Sequence, residues 1–235
     1  MDPQQRLLLE TCLRTCAVAN LLSLEVKISS IRERTGVYVG CMYNEVPHLQ
    51  REYGVDAGAY AGTGSGSAFM CGRMSYCLDL SGPCISTDTA CSSSLVSTHL
   101  AWREVGMREA DAGLVAGVNL TLLYINTSVI CAIGALSRVG RCKTMDTSAD
   151  GYGRGEGCGV FVIGGTESLV FIENAMLAGS AINQDGRSSA LTAPHGPSQK
   201  LLLLDVAREE AATSVHGISD AATSTKYIAT HGTGT

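Results

Sequence analysis

Hydrophobic and polar positions follow two periods along the chain, and these periods predict two kinds of element. Apolar residues recur at helical spacing in residues 4–22, which predicts a helix. Comparable segments at 67–80, 92–105 and 199–214 also predict helices. Short apolar runs bounded by glycine or turn residues predict strands instead. Such runs lie at 36–40, 84–87, 112–118, 159–163, 169–172 and 226–230.

The order of these elements predicts a layered α/β fold, because short apolar strands alternate with helices. A stretch of small residues and glycines at 58–68 predicts a loop. The chain has 235 residues, which is enough for one large domain or two small ones. A Gly/Thr segment at 231–235 follows the last predicted strand, so we expect more structure after it. The chain is therefore expected to be a fragment of a longer one.

The amino-acid composition limits the classes of protein to which the chain can belong. The chain is 45% hydrophobic and 17% charged, which predicts a folded domain with a substantial core. Its formal net charge is −5 and no cluster of Lys and Arg occurs, so we expect no nucleic-acid partner. The sequence shows no signal peptide and no apolar run long enough to cross a bilayer, so we expect a cytoplasmic protein without membrane association.

Ten cysteines are spread along the chain, most of them in apolar segments. We expect most to be small buried hydrophobes in a reducing compartment rather than disulfide partners. No Cys-x-x-Cys pair occurs, so we expect no metal site. On composition alone, a cysteine-rich metal or redox protein remains an alternative.

Cys91 differs from the other cysteines in its position. The segment Asp88–Ser94, DTACSSS, joins the predicted strand at 84–87 to the predicted helix at 92–105. The N–H groups at a helix N-terminus stabilise a thiolate, which is the attacking form of a thiol, and they also stabilise an oxyanion. Cys91 is therefore a candidate nucleophile. The alternative is a buried structural cysteine at the start of the helix.

A nucleophilic cysteine needs a base or a hydrogen-bond donor, and the chain has five histidines. His231 follows a predicted strand and precedes a Gly/Thr loop, a common place for catalytic side chains in α/β folds. The other four lie in predicted loops, turns or helices: His48, His99, His195 and His216. We therefore select His231 as the partner of the cysteine.

Five blocks of sequence occur in a fixed order. They are DPQQRLLLE at 2–10, DTACSSS at 88–94, GRCKT and ADGYGRGEG within 140–157, SAINQDGR and LTAP within 180–194, and HGTGT at 231–235. Together they resemble the motifs of the β-ketoacyl synthases, specifically the ketosynthase domains of type I modular polyketide synthases. The similarity extends over essentially the whole chain, and five ordered blocks are far more specific than one motif.

The resemblance implies a thiolase-like α/β fold, in which two similar halves stack as α-β-α-β-α layers, and a homodimer. Residues from about 1 to 165 would form the N-terminal half, and residues from about 166 to 235 the start of the C-terminal half. The family's lysine and second histidine motif do not occur in this chain, nor does the glycine-rich loop that completes the oxyanion hole. We therefore expect the chain alone to be inactive.

The resemblance also implies an acyltransferase mechanism. Cys91 would accept an acyl chain as a thioester. A malonyl-type extender on an acyl carrier protein would then lose CO₂ and attack that thioester in a Claisen condensation. His231 would assist the decarboxylation, and Thr233 and Thr235 would line the tunnel for the phosphopantetheine arm. No directly bound cofactor is implied, because the carrier protein holds that arm.

Related enzymes provide the alternatives. A fatty-acid synthase condensing enzyme shares the cysteine motif, but the block at 182–186 and the Gly-Thr pair at 234–235 favour the polyketide branch. A degradative thiolase fits the motifs poorly. A non-catalytic partner of a condensing enzyme would lack the cysteine, so the complete motif around Cys91 argues against that alternative.

Overall fold

A computed structural model describes residues 1–19, 21, 31–55, 58–165, 175–191, 193–214, 229 and 231, with only the backbone of 211–214. Regular elements follow one another along this part of the chain. They are α1 (Pro3–Val18), β1 (Thr35–Gly40), α2 (Val46–Glu52), α3 (Ala61–Ser65), α4 (Ala68–Leu78), β2 (Cys84–Thr87), α5 (Ser93–Gly106), β3 (Ala112–Asn119), α6 (Tyr124–Ala132), β4 (Gly157–Gly164) and α7 (Gly196–Ser214).

The described strands form a mixed sheet with the order β2-β1-β3-β4. The first three strands in this order run parallel, and β4 is antiparallel to β3. Helices cover both faces of the sheet, since α1 and α4 pack on one face and α5 on the other. This arrangement confirms the predicted layering of an α/β fold.

Strand β1 shows why the sheet is buried on both faces. Val37 and Val39 belong to the core cluster formed with α1 and α4, whereas Tyr38 packs against Ala101 of α5. Successive side chains of a strand point to opposite faces, so a run that is apolar at every position fits between two layers. All residues of β1 are buried accordingly.

The DPQQR segment at the start of α1 connects that helix to two loops. The Asp2 carboxylate accepts the N–H of Gln4 at 2.7 Å, and Pro3 occupies the first helical position. The buried Gln4 amide donates to the carbonyl of Tyr43 at 2.7 Å and accepts the N–H of Leu120 at 2.9 Å. Because these residues follow β1 and β3 respectively, this motif holds together the segments beyond both strands.

Most predicted elements are confirmed, with ends shifted by a few residues. The four predicted helices correspond to α1, α4, α5 and α7, and the predicted strands at 36–40, 84–87, 112–118 and 159–163 correspond to β1 to β4. The predicted strand at 169–172 lies outside the described residues. So does the predicted strand at 226–230, apart from Ala229.

Three short helices in the described part of the chain were not predicted. The expected loop at 58–68 contains α3, in which the Gly64 N–H donates to the Tyr60 carbonyl at 2.7 Å. His48 lies in α2 rather than in a loop. Helix α6 is rich in β-branched residues, which have low helix propensity, so its sequence gives little local signal.

The expectation that most cysteines are buried is wrong for half of them. Cys12, Cys16 and Cys71 are buried in the core, and Cys41 and Cys158 are half-buried. The exposed cysteines are Cys77, Cys84, Cys91, Cys131 and Cys142. All ten are free thiols. Burial was expected from apolar neighbours in sequence, but neighbours on a helix or strand point to different faces.

The chain divides into two compact units, Met1–Phe171 with Thr230–Thr235, and Ile172–Ala229. In the second unit, the Asp185 carboxylate accepts the N–H of His195 at 3.2 Å, and the His195 Nδ1 lies 2.8 Å from Ser198 Oγ. These bonds fix the start of α7. No helix within the described ranges is long and apolar enough to span a membrane.

Candidate active site

Cys91 lies in the turn between β2 and α5, directly before the N-cap residue Ser92. The preceding residue, Ala90, has a φ of 53°, in the left-handed region that residues with a side chain rarely adopt. Such a conformation costs on the order of 1–3 kcal/mol and persists only where the surroundings enforce it. The turn leaves the Cys91 side chain exposed.

Serine hydroxyls hold this turn in its strained conformation. The Ser93 Oγ donates to the Ala90 carbonyl at 2.6 Å and accepts the N–H of Thr89 at 2.9 Å. The Ser92 Oγ donates to the Thr89 carbonyl at 2.7 Å. The same two carbonyls also accept the backbone N–H groups of Ser92 and Ser93, at 3.3 and 3.1 Å, so the hydroxyls reinforce the turn. The serines after Cys91 therefore have a structural role in presenting the thiol.

Two glycines let the N-terminus of α5 lie directly on the sheet. A Cβ at Gly40, the last residue of β1, would come within 2.4 Å of the Ser94 backbone nitrogen. A Cβ at Gly117 of β3 would come within 2.8 Å of Ser94 Cβ. Any larger residue would push the helix away. The glycines thus fix the distance between the sheet and the turn that carries Cys91.

Cys91 opens into a cavity of about 660 Å³ at the ends of β1 and β3. The cavity is lined by the Cys91 turn, the start of α5, part of β4 and the segment Tyr152–Gly155. His231 lines the same cavity, so the structure brings the two selected residues together. Thr233 and Thr235 lie outside the described residues, as does His216. The remaining histidines do not line this cavity.

Sequence reasoning missed an arginine and an aromatic residue in the cavity wall. Arg154 donates from Nη1 to Thr127 Oγ1 at 2.5 Å, and its guanidinium carbon lies 5.7 Å from the centre of the Tyr43 ring. This is the geometry of a cation–π contact. Burial raises the pKa of Tyr43, and the Arg154 charge partly offsets that rise.

A buried carboxylate fixes the start of α6, the helix that carries Thr127. Glu45 is almost completely buried and accepts the N–H groups of Leu122 and Leu123, each at 2.6 Å. It also accepts from the Asn126 side-chain amide at 2.5 Å. These charge-assisted bonds hold the start of α6 in place. Glu45 binds residues that are far from it along the chain, so no local sequence motif indicates its role.

The sequence of the chain is similar to those of known proteins. The model of the family described as "Beta-ketoacyl synthase, N-terminal domain" matches residues 1–168. The chain belongs to the β-ketoacyl synthase family. Its relatives include two components of the phenolphthiocerol/phthiocerol polyketide synthase of Mycobacterium tuberculosis. One is 40% identical over 238 residues, and the other is 42% identical over 241 residues. Each match covers the whole chain, but the chain spans only 15% of the first relative and 10% of the second.

Solved ketosynthases share the fold. The ketosynthase from module 6 of the bacillaene synthase of Bacillus subtilis 168 superposes with a TM-score of 0.82 at 34% identity, covering all of this chain and 39% of that one. An oxazolomycin ketosynthase domain of Streptomyces albus JA3453 gives a TM-score of 0.78 at 28% identity, covering 89% of this chain and 37% of that one. These comparisons confirm the thiolase-like fold and the resemblance to polyketide ketosynthases.

Proposed function

We propose that this chain provides the nucleophile-bearing part of a ketosynthase that forms carbon–carbon bonds by decarboxylative Claisen condensation. The observation that carries the proposal is the exposed Cys91 in a strained turn, opening into a cavity that His231 also lines. The similarity to polyketide synthases supports the same reaction class.

In the first step, Cys91 accepts an acyl chain. Its sulfur attacks the carbonyl carbon of an acyl thioester, the new C–S bond forms, and the donor thiol leaves with the proton. Cys91 comes directly before the N-terminus of α5, and the dipole of a helix favours negative charge near that end. The cavity offers room for the acyl chain beside β4.

In the second step, a malonyl thioester loses CO₂, and the electron pair of the broken C–C bond passes into an enolate. The His231 imidazole donates a hydrogen bond to the enolate oxygen and stabilises its charge. The enolate carbon attacks the Cys91 thioester, and the cysteine leaves as a thiolate. The product is a β-ketoacyl thioester that is two carbons longer than the acyl chain.

The proposal also assigns partners. An acyl carrier protein delivers the extender on its phosphopantetheine arm, and Thr233 and Thr235 bind that arm, while the chain itself binds no cofactor. Residues 1–165 and 166–235 belong to the first half and the start of the second half of a homodimeric domain. The chain spans 39% of the bacillaene ketosynthase, so catalysis is assigned to the domain that contains it.

A condensation assay with the complete domain tests this function. The wild-type domain, loaded with an acyl group and given malonyl carrier protein, should release CO₂ and form the β-ketoacyl product. His231→Ala should lower the rate of decarboxylation by about 100-fold or more, because it removes an oxyanion donor. Acylation of Cys91 should continue in this variant. Equal loss of both steps would contradict the role given to His231.

A further inference from the structure

Arg154 is the one permanently charged side chain among the described residues that line the Cys91 cavity. The other lining residues are mostly glycines, apolar residues and hydroxyl-bearing residues. Arg154 is partly buried in this wall. A partly desolvated cation is stabilised by a compensating anion, so its position in the wall of this cavity requires explanation.

The described protein groups use only part of the hydrogen-bonding capacity of Arg154. One of its five N–H donors binds Thr127 Oγ1, and its face lies near the Tyr43 ring. No described ion pair includes Arg154. The neighbouring carboxylate of Glu156 instead accepts the N–H of Thr121 at 2.6 Å. The Glu45 carboxylate is likewise occupied by the start of α6.

We propose that Arg154 binds the free carboxylate of the malonyl extender in the cavity. This inference rests on the proposed condensing function. The planar guanidinium matches a carboxylate in charge and geometry, and Thr127 and Tyr43 hold it against the wall. A simple acyl thioester has no carboxylate, so Arg154 distinguishes the extender from the acyl chain already held on Cys91.

This contact acts on binding rather than on the chemical step. When the C–C bond breaks, its electron pair stays on the thioester fragment as the enolate and the carboxylate departs as neutral CO₂. The attraction to Arg154 is therefore lost as the reaction proceeds. An interaction made in the ground state and not strengthened in the transition state lowers KM without raising kcat.

The test uses the complete domain and malonyl-pantetheine, which has a carboxylate but no phosphate. Arg154→Met keeps an unbranched side chain like the aliphatic part of arginine and removes its charge. Because a charge-assisted hydrogen bond to the ground-state carboxylate is lost, the KM for decarboxylation should rise by roughly 10- to 100-fold, with kcat unchanged or raised. Acylation of Cys91 by an acyl-pantetheine should proceed as in the wild type.

Two further variants separate anion binding from a structural role. Thr127→Val removes the hydrogen bond that holds Arg154 but keeps the guanidinium, so its KM should rise much less than that of Arg154→Met. Arg6→Met, on the exposed face of α1, removes an equivalent charge outside the cavity and should leave both half-reactions unchanged.

Each contrary outcome has a separate meaning. Equal losses of acylation and decarboxylation in Arg154→Met, or equal effects of Thr127→Val and Arg154→Met, would overturn the proposal in favour of a structural role. A KM effect seen only with malonyl-phosphopantetheine would overturn it in favour of a phosphate site. An unaltered KM with an active wild type would refute this inference alone. Failure of the wild type to acylate Cys91 would refute the condensing function itself.

Discussion

At the scale of single residues, the backbone conformation of Ala90 positions Cys91, the proposed nucleophile. Its left-handed φ of 53° turns the chain sharply between β2 and α5 and leaves Cys91 exposed. The two hydrogen bonds of Ser93 Oγ offset part of the cost of this conformation. The turn therefore depends on a short side chain at residue 90 and a hydroxyl at residue 93.

Substitutions at Ala90 test this strain. Ala90→Val should lower the free energy of unfolding by about 2 kcal/mol or more, because a β-branched residue tolerates the left-handed region poorly. Ala90→Gly should stay within about 1 kcal/mol of the wild type, since relief of strain is balanced by the greater entropy of the unfolded chain. Urea unfolding of the complete domain measures both. Ala90 is exposed, so equal stability of the two variants would contradict the strain.

The sequence revealed the candidate site only in part at this scale. Cys91 and His231 were selected from motif and position, and the structure places both at one cavity. The roles assigned to Thr233 and Thr235 stay predictions. Arg154 contacts residues 27 and 111 positions away along the chain, Thr127 and Tyr43. Contacts of such separation arise from the tertiary fold and leave no local pattern.

At the scale of elements, the close packing of α5 on the sheet determines the position of the Cys91 thiol. Gly40 and Gly117 allow the helix N-terminus to touch β1 and β3 at Ser94. Strands and longer helices were predictable because their apolar periods are strong. Helix α6 was not, because its start is fixed by the distant carboxylate of Glu45 rather than by its own sequence.

A pair of glycine substitutions tests the close packing of α5 on the sheet. Gly40→Ala should lower the rate of Cys91 acylation by about tenfold or more, because its Cβ would overlap the Ser94 backbone and shift the turn. Gly72→Ala lies inside α4, where an added Cβ meets nothing within 4 Å. It should keep normal acylation and gain about 0.5–1 kcal/mol of stability. Stopped-flow acylation and urea unfolding provide the two readouts. Normal acylation in Gly40→Ala would contradict the account.

At the scale of the whole molecule, buried thiol and phenol groups make the stability of the fold decrease at alkaline pH. Burial raises the pKa of Cys16 and of Cys41 from an ordinary value near 9 to about 11. Burial and the nearby Glu104 and Glu109 raise the pKa of Tyr38 to about 12. Between the ordinary pKa of each group and its raised pKa in the folded state, the folded protein keeps protons that the unfolded chain has released. Rising pH therefore favours unfolding.

The free energy of unfolding should therefore be nearly constant from pH 7 to 8.5 and fall between pH 9 and pH 11. Urea titrations of the complete domain at several pH values measure this. Cys16→Ala removes one contributing thiol and should make the decline shallower. A stability that stays level or rises up to pH 11 would show that these groups titrate normally in the folded state.

The central claim is that Cys91 is the acyl-accepting nucleophile, and acylation tests it most directly. The complete domain is incubated with an acyl-pantetheine thioester, and the adduct is mapped by peptide mass spectrometry alongside Cys91→Ala. We expect a single adduct on the peptide containing Cys91 and none in the variant. An unmodified Cys91, or label spread over other exposed thiols such as Cys77, Cys131 and Cys142, would contradict the account.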